Sequence, residues 1–194
     1  MTSKYHGVLR LLQQSPHPPG WSMPGGPQTQ QIADLEAAVG FAIPAAVVEW
    51  LEQCNGCVAG PGVLFGATSG CALTDILSAM ELWPRWRQDR WLPIASDGSG
   101  NFFVAVAYEH QVQVFFVECT LDPGRLSYIF GSSVERFLEF LLEGELGESG
   151  WPFDPEYVLS RDPDIRYSTG PLPWLVDAHH EERRSDPGEP AQGQ

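Results

Sequence analysis

The chain has 194 residues, 43% of them apolar, with ten Phe, seven Trp and five Tyr; that suits one folded domain with appended ends and excludes global disorder. Eleven basic residues face 25 acidic ones, a formal charge of −14, which repels phosphate backbones, so nucleic acid is disfavoured and a basic partner is steered inward. No apolar run approaches the roughly 20 residues that span a bilayer, and the patch at residues 8–12 is too short for a signal sequence; no membrane partner or lipid anchor is expected, and the reading is a cytoplasmic protein with Cys54, Cys57, Cys71 and Cys119 reduced.

Residues 1–28 read as a short helix, with Val8, Leu9, Leu11 and Leu12 as its apolar face, followed by a Pro/Gly-rich lead that excludes helix and central strand. A first strong helix spans residues 29–39, where Ile32, Leu35 and Val39 fall on one face, Thr29 suits the N-cap and Gly40 the C-terminal turn. After Ile43-Pro44 a second helix turns Val47, Trp50, Leu51 and Cys54 inward and is expected to end at Asn55-Gly56. Residues 57–73 are Gly-rich, with one short strand expected over 63–65. A third helix starts from Thr74 as cap, carries Ile76, Leu77, Met80 and Trp83, and is disturbed at Pro84. Beyond it Trp86 and Trp91 flank Arg85, Arg87 and Arg90.

Short apolar runs at 91–96, 101–108, 112–118 and 126–130 alternate with turns at Asp97-Gly98-Ser99-Gly100, Glu109-His110-Gln111 and Asp122-Pro123-Gly124. Runs this short, joined by turns this tight, make an antiparallel sheet. A last helix spans residues 133–145, with Ser132 and Glu135 at capping-box spacing, an apolar face of Val134, Phe137, Leu138, Leu141 and Leu142, and Glu135, Glu139 and Glu143 on the opposite, solvated side. Residues 151–176 read as an irregular Pro-rich, aromatic arm, and 177–194 as a disordered acidic tail. The division is therefore 1–28, a lead; 29–176, an α+β domain of about four to six antiparallel strands with helices packed on the sheet; and 177–194, the tail.

Several pieces stand in an order that resembles a known family. They are Ile32-Ala33-Asp34-Leu35-Glu36, Val39-Gly40, Ile43-Pro44, Trp50-Leu51 and Asn55-Gly56, then Trp91-Leu92-Pro93-Ile94-Ala95 with Asp97-Gly98-Ser99-Gly100-Asn101, the helix at 133–142, and an arm with Phe153-Asp154-Pro155, Asp162-Pro163 and Pro173-Trp174. Together, over residues 28–175, they resemble the SUKH superfamily of bacterial immunity proteins and fungal cell-wall regulators. Ala45-Ala46-Val47 departs from the aromatic often found after the apolar-Pro pair. The resemblance implies helices on an antiparallel sheet and a non-catalytic module that binds a toxin, often a nuclease, and blocks it. It implies no catalytic residue.

The chemistry-bearing residues point the same way. Cys54-Asn55-Gly56-Cys57 has C-x-x-C spacing, but it lacks the second ligand pair of a zinc site and does not follow a strand to open a helix, as a redox motif would. It reads as a helix end with incidental cysteines. His179-His180 has no preorganised setting, Cys119 and His110 lack an orienting third group, Asp97–Gly100 lacks the later ligands of a calcium loop, and no Gly-rich stretch contains G-K-[ST]. No catalytic residue, metal or cofactor is expected, so the chain reads as a binding protein and not an enzyme. The partner is expected to be a protein, a basic toxin domain, met by an acidic ridge of Glu135, Glu139 and Glu143 and an aromatic anchor at Trp151. A cytoplasmic scaffold or adaptor for another protein is the alternative.

Overall fold

In the computed structural model residues 3–17, 19, 21–108 and 111–175 are described. The expected tail 177–194 with His179-His180, and the turn residue His110, lie outside the described residues.

The sheet is a six-stranded antiparallel meander in sequence order: β1 (Cys57–Ala59), β2 (Gly62–Leu64), β3 (Leu92–Ser96), β4 (Phe102–Tyr108), β5 (Gln111–Val117) and β6 (Tyr128–Gly131). Four strands match the apolar runs of the sequence to within two residues at each end. The strand expected over 63–65 is shifted back by one residue and paired with β1, which the sequence reading missed. Three residues in a Gly-rich stretch carry no periodicity of their own, and β1 exists because β2 pairs with it. Asn55-Gly56 does not end the second helix, which stops at Leu51; it opens this hairpin instead. The Asn55 side chain accepts from the Ala67 amide (2.8 Å) and donates to the Thr68 carbonyl (3.0 Å). Gly56 has φ +82°, and a Cβ there would stand 2.8 Å from the Gly66 amide and the Thr74 carbonyl, so only glycine fits.

Alternation along β4 sets the layers. Phe102 and Phe103 point to opposite faces. Phe103 meets Phe137 of α6 (Val134–Glu145) at 4.8 Å between ring centroids, with Phe116 and Phe130 at 5.3 and 5.4 Å. Phe102 meets Trp86 of α5 (Arg85–Asp89) edge-on at 5.4 Å. The buried Trp86 indole donates to the Pro123 carbonyl (2.8 Å), tying α5 to the turn between β5 and β6.

The other helices are α1 (His6–Gln14), α2 (Thr29–Val39), α3 (Ala45–Leu51), α4 (Ile76–Leu82) and α7 (Pro155–Arg161). Of the apolar face read for the N-terminal segment, Val8 and Leu12 are fully buried in the core and Leu9 and Leu11 partly so; Tyr5, not read as part of that face, is fully buried too, and α1 packs along α6. Tyr5 donates to the Ala46 carbonyl (2.6 Å) and meets Trp50 edge-on, which pins α3 to the same layer.

Helix starts differ from the sequence reading by one residue in three places. Gln28, not Thr29, caps α2, because the Gln31 side chain reaches back to the Gln28 amide (2.7 Å). Asp75, not Thr74, caps α4 by accepting from the Leu77 amide (2.9 Å). Ser133, not Ser132, caps α6, with its hydroxyl accepting from the Arg136 amide. Ser132 is engaged elsewhere: its amide (2.8 Å) and hydroxyl both donate to the carboxylate of Asp162, which is buried. The break at Pro84 stands where it was expected, between α4 and α5.

The arm, expected to be irregular, contains α7 and a 3₁₀ turn, Pro163–Tyr167. Asp154 caps α7 by accepting from the Glu156 and Tyr157 amides, and Pro155 at the first helical position loses nothing there. The arm then runs beside β6, where the Ile129 amide donates to the Pro171 carbonyl (2.9 Å) and closes that edge of the sheet.

Truncating Phe103 should remove the ring that joins sheet to α6. Phe103→Ala is expected to cost about 3–5 kcal/mol, read as a lower urea midpoint at an unchanged slope.

Candidate functional site

The three glutamates of α6 do not form an open ridge. Their four-residue spacing puts them on one side of the helix, as expected, but α1 lies along α6 against Glu139, α7 meets Glu143, and all three are half-buried. Gly7 makes the approach close: a Cβ there would stand 3.3 Å from a Glu139 carboxylate oxygen. Two of the three carboxylates meet cations. Glu139 pairs with Arg136 one turn back (2.6 Å), and Glu143 pairs with Arg161 of α7 and accepts from the Tyr157 hydroxyl. Burial, and then the neighbouring Glu139, push the Glu135 carboxyl above the usual carboxylate range, against the pull of Arg136 and Lys4.

The result is a cleft of 280 Å³ lined by Arg136, Glu139, Phe140, Glu143 and Arg161. Its charges alternate, so it fits a polar or charged side chain better than an apolar one. Exposed pairs of this kind contribute about 0–1 kcal/mol each; they set orientation and association rate more than depth of binding. Tyr157 and Arg161 were not among the site residues read from the sequence. They lie 14 and 18 residues beyond Glu143, on another helix, and no spacing rule reaches them. Arg136 was legible as an i,i+3 partner of Glu139.

Trp151 is half-buried and its groups are occupied within the chain. The indole donates to the Phe130 carbonyl (3.0 Å), stacks on Phe140 (6.0 Å, 15°) and meets Phe130 edge-on (5.0 Å). It fastens the start of the arm to β6 and α6, which leaves only part of its surface to a partner.

The Cys54 and Cys57 sulfurs are 3.9 Å apart, and both residues are buried. The hydrogen bond between the two sulfurs and then burial push the Cys54 thiol up, while the same bond holds Cys57 lower against its own burial. The Cys119 thiol is pushed up to about 12 by burial and then by Asp97, so it is a neutral thiol at physiological pH. Among the described residues no three His, Cys, Asp or Glu side chains gather as a metal site would need. Asp97 folds onto its own turn, accepting from the Ser99 (2.7 Å) and Asn101 (3.1 Å) amides and the Asn101 side chain (2.8 Å). No helix among the described residues is long and apolar enough to cross a membrane.

The Glu135 shift has a sign that can be checked. A carboxyl raised in the folded state stabilises the fold below its unfolded pKa, and that contribution is lost as pH rises through the folded value. Glu135→Gln should therefore melt with the wild type at pH 4 and above it at pH 7. The gap should be on the order of a few tenths of a kcal/mol, because the group is partly solvated; melting curves at the two pH values measure it.

The comparisons with known proteins fit this architecture. No curated protein matches the chain significantly. The family described as SMI1 / KNR4 (SUKH-1) matches residues 26–140, from the cap of α2 through the sheet and into α6. The match stops before the arm, so the resemblance seen there in the sequence lies outside it. The family is one of protein-binding immunity and regulatory proteins, generally without catalysis. With more than half of its length matched, across the whole meander, this chain belongs to the SMI1 / KNR4 (SUKH-1) family.

Proposed function

We propose that this chain is an immunity protein that binds and neutralises a toxin domain of basic surface, such as a nuclease, in the cytoplasm of the cell that makes it. The family match carries this reading, and the charge of −14 supports it. An enzyme acting on an anion is commonly cationic around its cleft, and an acidic cover both steers to that cleft and excludes the substrate. Neutralisation on this reading is occlusion and needs no chemical step. The mixed-charge cleft of Glu139 and Glu143 belongs to the proposed contact surface. Glu135 behind it adds negative potential, and Trp151 holds the arm beside it.

The test is co-expression with a basic toxin domain, chosen from any toxin gene found next to this one, scoring survival and recovery of a stoichiometric complex. Survival with a complex supports immunity; death without a complex, both proteins being folded, removes that pairing. The same family match also supports a regulatory scaffold for another protein, which would then take the lead.

Within a complex, Glu139→Lys with Glu143→Lys should raise Kd by about three- to tenfold at low salt and by less at 0.5 M, acting mainly on the association rate. Stopped-flow binding at two ionic strengths measures this, with circular dichroism as the folding control.

A further inference from the structure

A second surface lies on the other face of the sheet, the one that Phe102 occupies. Val58, Val63, Ser96 and Phe102 face one another across β1, β2, β3 and β4, so their side chains share one face. The cover on that face is incomplete. Trp86 of α5 reaches Phe102, and Phe65 stacks on Phe102 at 5.8 Å, but nearer the β1 edge Val63 is only half-buried and Val58 is 45% exposed.

What remains is an apolar groove of 310 Å³, floored by Val63, Phe65 and Phe102 and walled by Pro61, Leu73 and Leu82. Leu73 and Leu82 are 77% and 63% exposed. Burying a leucine stabilises by about 1.5–3 kcal/mol, so two leucines standing in water beside a concave apolar floor are held where a partner can cover them. One end of the groove is closed by two turns locked together: a Cβ on Gly98 would fall 2.0 Å from the Pro61 carbonyl oxygen. The volume is at the small end of ligand sites, about 300–1,000 Å³, and suits one or two protruding side chains.

Charge selects the occupant. The residues that line the groove are uncharged; the charged residues in the segments that supply them, 57–64, 72–82 and 96–102, are Asp75, Glu81 and Asp97, and in the adjoining α5 Arg85 is paired with Asp89 (3.0 Å). A second copy of the chain would bring a further −14. Residues 177–194 hold five acidic residues against two arginines, so they too are repelled. We propose that this groove is the anchor site for a basic protein partner, taking an aliphatic or aromatic side chain flanked by Lys or Arg. The assignment rests on reading the chain as an acidic protein-binding module, and it names the surface that supplies the apolar contact. The α6 cleft would supply orientation, while the groove supplies the desolvated anchor that dominates interface energetics.

The experiment uses the full chain with labelled Leu and Val methyls, titrated with three pentapeptides: one Phe between Lys pairs, one Phe between Glu pairs, and one Ser between Lys pairs. Saturable shifts confined to the methyls of Leu73, Leu82 and Val63 are expected with the first. Binding should be at least about tenfold weaker with the other two, and with Leu73→Asn/Leu82→Asn, a change at solvent-exposed positions that leaves the charge intact. Equal shifts from the Ser peptide, or none from the Phe peptide, overturn the proposal. So does dimerisation of the wild type that the double variant abolishes, since the occupant is then a second copy. The toxin complex separates the two readings. If the double variant binds that toxin as tightly as the wild type, the groove is wrong and immunity stands. If no toxin binds but the Lys-flanked Phe seats in the groove, immunity is wrong and the groove stands.

Discussion

Phe102 and Phe103 are consecutive residues of a central strand, and the pleat sends them to opposite faces of one sheet. Each face then needs its own cover, and the rest of the chain is arranged to provide it. On the Phe103 side, α6 lies on the sheet, α1 and α3 lie with α6, and Trp151 brings in the arm. On the Phe102 side, α5 supplies Trp86, anchored by its hydrogen bond to Pro123. The meander makes this arrangement asymmetric. Its β6 edge is closed by the arm at Pro171, whereas its β1 edge is a three-residue strand whose Val58 remains half in water.

Electrostatics is distributed unevenly over the same frame. Eleven cations cannot neutralise 25 carboxylates, and among the described residues four cations are paired at short range: Lys4 with Glu49, Arg85 with Asp89, Arg136 with Glu139 and Arg161 with Glu143. The excess negative charge acts at long range, on encounter and solubility, and not through any one contact. Local acids have separate work. Asp75, Asp154 and Asp97 accept from backbone amides at helix starts and in a turn, and Asp162 holds the start of α6 to the end of α7. An acidic protein can thus be specific while few of its acids face a partner directly.

Periodicity and turn chemistry made most of the elements legible. The apolar spacing in α2, α3 and α6, the short apolar runs of β3 to β5, and the Asp-Gly turns all rest on patterns within a few residues. The helix caps were misplaced by one residue because several acceptors stood side by side. Ser132 and Ser133 are equivalent in the sequence, and the choice between them was made by Asp162, 30 residues away. The β1 strand was illegible for the same reason, since pairing with β2 is what makes three unpatterned residues a strand.

The sequence by itself determined the class of this protein: an acidic α+β domain of the SUKH type, with an antiparallel sheet and an amphipathic helix bearing Glu135, Glu139 and Glu143 on one side. Charge, spacing and motif order are properties of the chain and survive without a fold. Only the tertiary structure decided which of those groups are available. Helices α1 and α7 turned a solvated stripe into a half-buried one, Arg161 neutralised Glu143 from another helix, and Trp151 became a clamp. Val63, Phe65, Leu73 and Phe102 came together as a groove although they are spread over 40 residues. Exposure depends on what packs against a residue, and that is set by long-range pairing that no local pattern encodes.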